Sequence, residues 1–174
     1  MSVVRVPASA ANLGPAFDAL GMALSLHAEI VVVAEGTESD AAPSELGARA
    51  HLASERHPAD VAFRHAGGIG HLWIRAPIPM ARGLGYSGAM RVGGVVAATA
   101  QAYGVDAVEH LRDSILASAT ELEGHADNAA ASLRGGVVAV AAGRAVSVPV
   151  AIEPAVVVWV PPTTTSTNRS RSML

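Results

Sequence analysis

"ARGLGYSGAM", residues 81–90, sets two glycines around one leucine and then a serine, just where an alanine-rich helical stretch begins. A flexible turn explains the glycines but not their position. A phosphate cradle explains both, because a helix N-terminus offers unpaired backbone N–H groups and a partial positive charge. Taken alone, Gly-Leu-Gly is a weak signal, and a turn before a helix accounts for it equally well. Pro79 fixes the entry, Gly83 and Gly85 allow close backbone approach to an anion, and Ser87 can cap the helix or ligate a cation. Arg82 can add charge. Tyr86 is the odd residue, a bulky ring at the mouth of the helix.

The elements on either side of this loop set the fold. "VVRVPAS" (3–9) reads as a strand running into a loop, because Pro7 and "NLGP" (12–15) break regularity, and "AEIVVVA" (28–34) as a second strand. Residues 35–58 are polar and mixed, and a short helix is expected around 44–54. "DVAFRHA" reads as helix and "HLWIRA" (71–76) as strand. From Ser87 to Tyr103 the pattern is helical, with Gly93 and Gly94 inside it. Each mid-helix glycine costs about 1 kcal/mol relative to alanine, which a close approach to a sheet or neighbour would offset. Asp106 and Glu109 form a capping-box pair for a further helix, with Val108, Leu111, Ile115, Ala119 and Leu122 on one face. "GHADN" interrupts it, and "GGVVAVAA", "AVSVPV" and "AVVVWV" (155–160) read as three strands. The order β-β-α-β-α-α-β-β-β predicts an α+β two-layer sandwich with helices on one sheet face. The tail "PPTTTSTNRSRSML" reads as a linker in which "SRSML" begins a helix that simply ends, as a truncation would leave it.

Composition bounds the function. The 174 residues, 51% hydrophobic with mean hydropathy +0.36, suffice for one well-built domain. A net charge of -3 gives no electrostatic case for a nucleic-acid partner. All twelve basic residues are arginine, so a Walker-type loop, which needs its lysine, is excluded. There is no cysteine, which excludes disulfides and thiolate metal sites and allows the cytoplasm, the expected location. No signal peptide is visible at the start, and the uncharged run Val92 to Val105 is too short and glycine-rich to span a bilayer. The seven histidines show no spaced ligand set, so zinc is not expected. His27, His51, His57, His65, His71 and His110 read as surface or packing residues.

Two further clusters carry chemistry. "ELEGHADN" (121–128) holds two carboxylates two apart, then His125, Asp127 and Asn128, in a chain only 16% charged. A hydrated helix end accounts for any one of these residues. Together, after a glycine loop, they suit phosphoryl transfer, where Mg²⁺ bridges phosphates and a hard cation takes carboxylate and hydroxyl oxygens. In "ANLGPAFDALG" (11–21), Asn12 and Asp18 are polar residues in an apolar segment. They read either as an Asx turn or as groups that position a hydroxyl or ammonium on a small substrate.

"VRVPASAANLGPAFDALGMAL", "PIPMARGLGYSGA" and "EGHADNAAASLRGG", in this order and spacing, closely resemble the GHMP small-molecule kinases, and the first of them, with "STNRSRSML", resembles the homoserine kinases within that superfamily. The resemblance covers most of the chain except residues 36–57. It implies an N-terminal GHMP domain over residues 1–160, built like the second domain of ribosomal protein S5, with 161–174 as a linker into a C-terminal domain. It implies ATP bound by Pro79, Arg82, Gly83, Leu84, Gly85, Tyr86, Ser87, Gly88 and Ala89, and Mg²⁺ held by Ser87 and Glu121 rather than by Glu123, whose place in the motif is next to Gly124. Asn12, Asp18, His125, Thr167 and Arg171 would bind the substrate, Thr167 and Arg171 near the phosphate and the substrate carboxylate. Asp127 falls where the related mevalonate kinases place a catalytic base, and Asp18, Asp127 and Asn128 are the candidate catalytic residues. The family usually reads Gly-Leu-Gly-Ser-Ser, whereas Tyr86 takes the first serine position here and Gly88 follows the second. The implied activity is transfer of the ATP γ-phosphate to the side-chain hydroxyl of L-homoserine, a step of threonine biosynthesis. Another GHMP kinase acting on a different small hydroxy acid, or a nucleotide-binding module without catalysis, stays open, as does a homodimer.

Overall fold

A computed structural model describes residues 2–14, 16–36, 42–47, 49–152 and 154–158. The chain runs β1 (Val3–Ala11), β2 (Leu20–Val33), β3 (His51–Leu52), α1 (Pro58–His65), β4 (His71–Arg75) and α2 (Tyr86–Tyr103). It continues through α3 (Ala107–His110), α4 (Arg112–Glu123), α5 (Asp127–Arg134), β5 (Val137–Ala141) and β6 (Arg144–Val148). The sheet is antiparallel throughout and organised by β2. This long strand pairs with β1 on one side, and on the other with β5 near its start (Gly21 opposite Val138) and β4 near its end (Ile30 opposite Ile74). β3 and β6 extend the sheet beyond β4 and β5.

Alternation along the strands divides their two faces. Ala28 and Ile30 of β2, Val6 and Ala8 of β1, and Leu72 and Ile74 of β4 are buried in the main core with α1, α2, α4 and α5. Val31, Val33 and Trp73 point the other way and pack with Leu46 in a smaller cluster. The α+β two-layer architecture expected from the sequence is therefore the one formed. The mid-helix glycines of α2 have the close approaches they need: a Cβ on Gly93 would lie 2.4 Å from Ile30 Cδ1, and one on Gly94 2.1 Å from the Ala59 carbonyl oxygen. One glycine faces the sheet and the other faces α1.

Four local expectations are corrected. The helix around 44–54 is absent among the described residues, which form a turn at 44–46 and then β3; Leu46 lies in the smaller cluster and this segment covers Trp73. The Asp106–Glu109 capping box does not form, because Asp106 is itself helical (φ -67°, ψ -26°) rather than extended. The helix there breaks in two at Leu111 (φ -101°, ψ 12°). "GHADN" does not simply interrupt a helix: Gly124 ends α4 in the left-handed region (φ 82°) and α5 starts three residues later. Finally, residues 155–158 of the valine-rich stretch pair with no strand, 159–160 lying outside the described residues; apolar composition does not supply a partner. Among the described residues no helix is long and apolar enough to cross a membrane.

Candidate active site

Gly85 is the N-cap of α2 and sits in the left-handed region (φ 64°), a conformation that glycine adopts at no steric cost. A Cβ there would lie 2.0 Å from Ser9 Oγ and 2.9 Å from Asn128 Oδ1, so the glycine also lets the loop close onto β1 and α5. Ser9 makes that junction: its N–H donates to the Leu84 carbonyl (3.2 Å) and its hydroxyl to Asn128 Oδ1 (2.9 Å). A register shift in β1 between Pro7 and Ser9 accompanies these contacts. Beyond Gly85, the first-turn amides of α2 lack intrahelical partners by geometry, and no side chain caps them. Ala89 is already inside the ladder, its N–H bonded to the Gly85 carbonyl (2.9 Å).

A cleft of about 400 Å³ opens at this helix mouth. Its walls include Arg82, Gly83, Leu84, Gly85, Tyr86 and Ser87 from the loop, Asn12 from the end of β1, and His125 and Asn128 from the turn before α5 and its first residues. The structure thus brings most of the sequence-predicted residues together. Pro79 lines an adjoining apolar groove of about 570 Å³ beside Met22, Leu24 and Pro77, and Leu84 lines both. Gly88 and Ala89 are buried behind the cleft; a Cβ on Gly88 would come within 3.1 Å of Asn128 Cβ, so this glycine makes room for α5.

The acid that meets Ser87 is Glu123, not Glu121. Ser87 Oγ donates to Glu123 Oε2 (2.7 Å), and Arg91 forms an ion pair with the same oxygen. Glu121 is exposed on the other side of α4 and lies 3.6 Å from His65 Nε2. The physical reason is helix phase: Glu123 follows Ile115 and Ala119 on the buried side of α4. From Glu123 the polar chain continues inward. His125 Nε2 lies 3.6 Å from Glu123 Oε1, and His125 Nδ1 donates to Asp127 Oδ1 (2.6 Å), which also accepts from the Asn128 N–H (2.8 Å). Asp127 is fully buried and does not line the cleft; it orients His125, which does.

Asn12 and Asp18 both have positive φ (59° and 54°), and the Asp18 N–H donates to Asn12 Oδ1 (2.9 Å). Asn12 reaches the cleft wall, while Asp18 is exposed in the turn and outside the lining. Thr167 and Arg171 lie outside the described residues.

Two residues at the site escaped the sequence reading, one in the cleft lining and one behind it on Glu123. His57, taken there as surface or packing, is the N-cap of α1: its Nδ1 accepts from the Ala59 N–H (3.2 Å), which leaves Nε2–H to donate to Tyr86 Oη (2.8 Å). Burial, then the neighbouring His51, holds the His57 imidazole below its ordinary value, and burial raises the Tyr86 phenol. Tyr86 thus ties the loop to the N-cap of α1. Arg91 is the second, one helical turn beyond Ser87 on the same face of α2.

Among the described residues no three His, Asp or Glu side chains are grouped to hold a metal ion. Ser87 and Glu123 do offer a hydroxyl and a carboxylate side by side, two hard oxygens of the kind Mg²⁺ takes when nucleotide phosphates complete its shell.

The GHMP kinases N terminal domain family matches residues 46–136. A homoserine kinase of Rhodococcus erythropolis is 43% identical over 144 residues, 77% of this chain and 45% of that protein. A solved Listeria monocytogenes structure assigned as homoserine kinase superposes with TM-score 0.62 at 29% identity, covering 83% of this chain and 52% of that one. The homoserine kinase of Cytophaga hutchinsonii shares the fold across 100% of this chain and 60% of its own, with TM-score 0.70 and 23% identity. The chain spans about half the length of the curated relatives it matches. By its loop, its sheet order and these matches, the chain belongs to the GHMP kinase family, as an N-terminal domain similar to that of homoserine kinases.

Proposed function

We propose that the cleft binds the phosphates of ATP and that the chain supplies the nucleotide-binding half of a kinase acting on the side-chain hydroxyl of L-homoserine. The observation that carries this is the uncapped first turn of α2 opening into the same cleft as the Ser87–Glu123 pair. Backbone N–H groups of the loop and Arg82 would hold the phosphates, and the apolar groove reached through Leu84 suits the base. Ser87 and Glu123 would hold Mg²⁺, which when bound neutralises charge developing on the phosphates. His125 and Asn128 line the same cleft, where they can orient an acceptor hydroxyl. Asn12 and Asp18 would bind the substrate at its edge, Asp18 by its exposed carboxylate, with Thr167 and Arg171 near the phosphate and the substrate carboxylate. Asp127 holds His125 in place. Rate enhancement on this reading comes from positioning and preorganised dipoles rather than from a covalent protein intermediate. The setting proposed for the reaction is the cytoplasm and threonine biosynthesis.

A nucleotide-binding module without transfer is the second reading, favoured by the hold of Arg91 on Glu123. ADP release coupled to a reporter, measured on the protein in its complete reading frame with homoserine and related amino alcohols, separates the two. Homoserine-dependent ADP release is expected. ATP binding without release under any acceptor would leave the module reading standing and remove the kinase one.

A further inference from the structure

Ser87 and Arg91 are one turn apart on α2, and both reach the same oxygen of Glu123. The Arg91 side chain is 23% exposed and that of Glu123 9%, so the pair is shielded from water and its attraction is screened less than that of a surface pair. The second carboxylate oxygen faces His125 Nε2 at 3.6 Å. Arg91 Nε is buried with no hydrogen-bond partner among the described residues, so what holds the guanidinium in place is the acid. A divalent cation seated on Ser87 and Glu123 would sit directly against this guanidinium, two like charges on one carboxylate oxygen. We propose that Arg91 sets the divalent-cation affinity of the Ser87–Glu123 site, holding Glu123 as an ion pair that the cation must displace. The inference deepens the kinase reading and takes its cation from it. Arg91 is a positioning residue: it neutralises the acid when the cation is away, and leaves when the cation arrives. The two states exclude each other, so whatever weakens the pair strengthens cation binding by the same factor.

The test is Arg91→Met, which keeps much of the side chain's length and apolar stem. Mn²⁺ is the probe, without nucleotide, read by calorimetric titration and by thermal unfolding in chelator and in excess Mn²⁺. With Glu123 left buried and unpaired, Tm in chelator should fall by roughly 6–12 °C, and Mn²⁺ should recover most of that loss. Mn²⁺ should bind about tenfold more tightly than to the parent. Glu123→Gln should abolish the Mn²⁺ response in both backgrounds. If Arg91→Met does not fold, Arg91→Lys, which puts a compact and more strongly hydrated ammonium where the guanidinium lies, should still tighten Mn²⁺ by roughly two- to threefold. Equal Mn²⁺ affinity in the parent and the folded variant, or a Tm loss that Mn²⁺ does not repair, overturns the assignment. A parent that binds no ATP, beside a variant that gains Mn²⁺ affinity, would remove the kinase reading and leave Arg91 in this role.

Discussion

Protonating His57 breaks one of its two hydrogen bonds. The neutral ring accepts from the Ala59 N–H at Nδ1 and donates to Tyr86 from Nε2, while the cation has a proton on Nδ1 and can no longer cap α1. Burial and the neighbouring His51 lower the imidazole from its ordinary 6.5, with Asp60 opposing them. The folded state therefore binds this proton less readily than the unfolded state does. The stability His57 contributes is fully present above the ordinary value and is lost as pH falls through the lowered one. Tm measured from pH 8 to pH 5 should drop on the acid side, and His57→Asn, which keeps a capping side chain, should flatten that drop. An identical acid limb in the variant would remove His57 as its source. Tyr86→Phe should cost about 0.5–1.5 kcal/mol in denaturant unfolding at pH 7, since it strips the acceptor from a half-buried N–H. Neither residue was legible as a pair, because histidine is not a favoured N-cap and 29 positions separate them. The inward phase of Glu123 is legible in the sequence. The series Ile115, Ala119, Glu123 repeats every four residues, whereas Glu121 is turned about 200° from Glu123 on a 3.6-residue helix.

At the level of elements, α2 is where sequence and structure meet most closely. Its adjacent glycines predict two close approaches, and the two differ in what they touch. A methyl at Gly93 would strike the far end of Ile30, which can turn aside; a methyl at Gly94 would strike the Ala59 backbone carbonyl, which cannot. Alanine gains about 1 kcal/mol over glycine in helix propensity at either site, while overpacking against fixed atoms costs roughly 1–3 kcal/mol or more. Gly93→Ala should therefore come out within about 1 kcal/mol of the parent in urea unfolding, and Gly94→Ala clearly less stable. The reverse order would mean that α1 shifts more easily than Ile30. Elsewhere the period of the pattern was informative only where a partner existed. The strands at 3–9, 28–34 and 71–76 alternate across a sheet that buries one face against helices. Residues 155–158 carry the same residue types without a paired strand. α5 was missed because it is short and alanine-rich, and its start is marked by Asp127 at the first helical position rather than by a capping side chain.

Across the whole molecule, the loop at 81–90 ties β1, α1, α2 and α5 together, so ligand binding and global stability should be linked. At one hundred times Kd a nucleotide adds about 2.7 kcal/mol to the folded state, or roughly 5–11 °C in Tm for a chain of this size. The two loop glycines separate packing from ligand approach. Both have positive φ, so alanine is strained by about 1–2 kcal/mol at each. At Gly85 the added methyl would also press on Ser9 Oγ and Asn128 Oδ1, inside the fold. At Gly83 it would meet no protein atom within 4 Å, and Gly83 lines the cleft. Gly85→Ala should accordingly unfold much earlier than the parent without ligand, by roughly 2–5 kcal/mol, and its affinity for ATP is no clean measure of phosphate approach. Gly83→Ala should lose only the strain, yet forfeit most of the ATP-induced rise in Tm, because the open space beside its backbone is where a phosphate would lie. The measurement is a thermal scan of both variants and the parent with and without Mg-ATP. A full ATP shift in Gly83→Ala would mean that the phosphates do not approach the loop there, and the glycine would be left with only its turn to explain it.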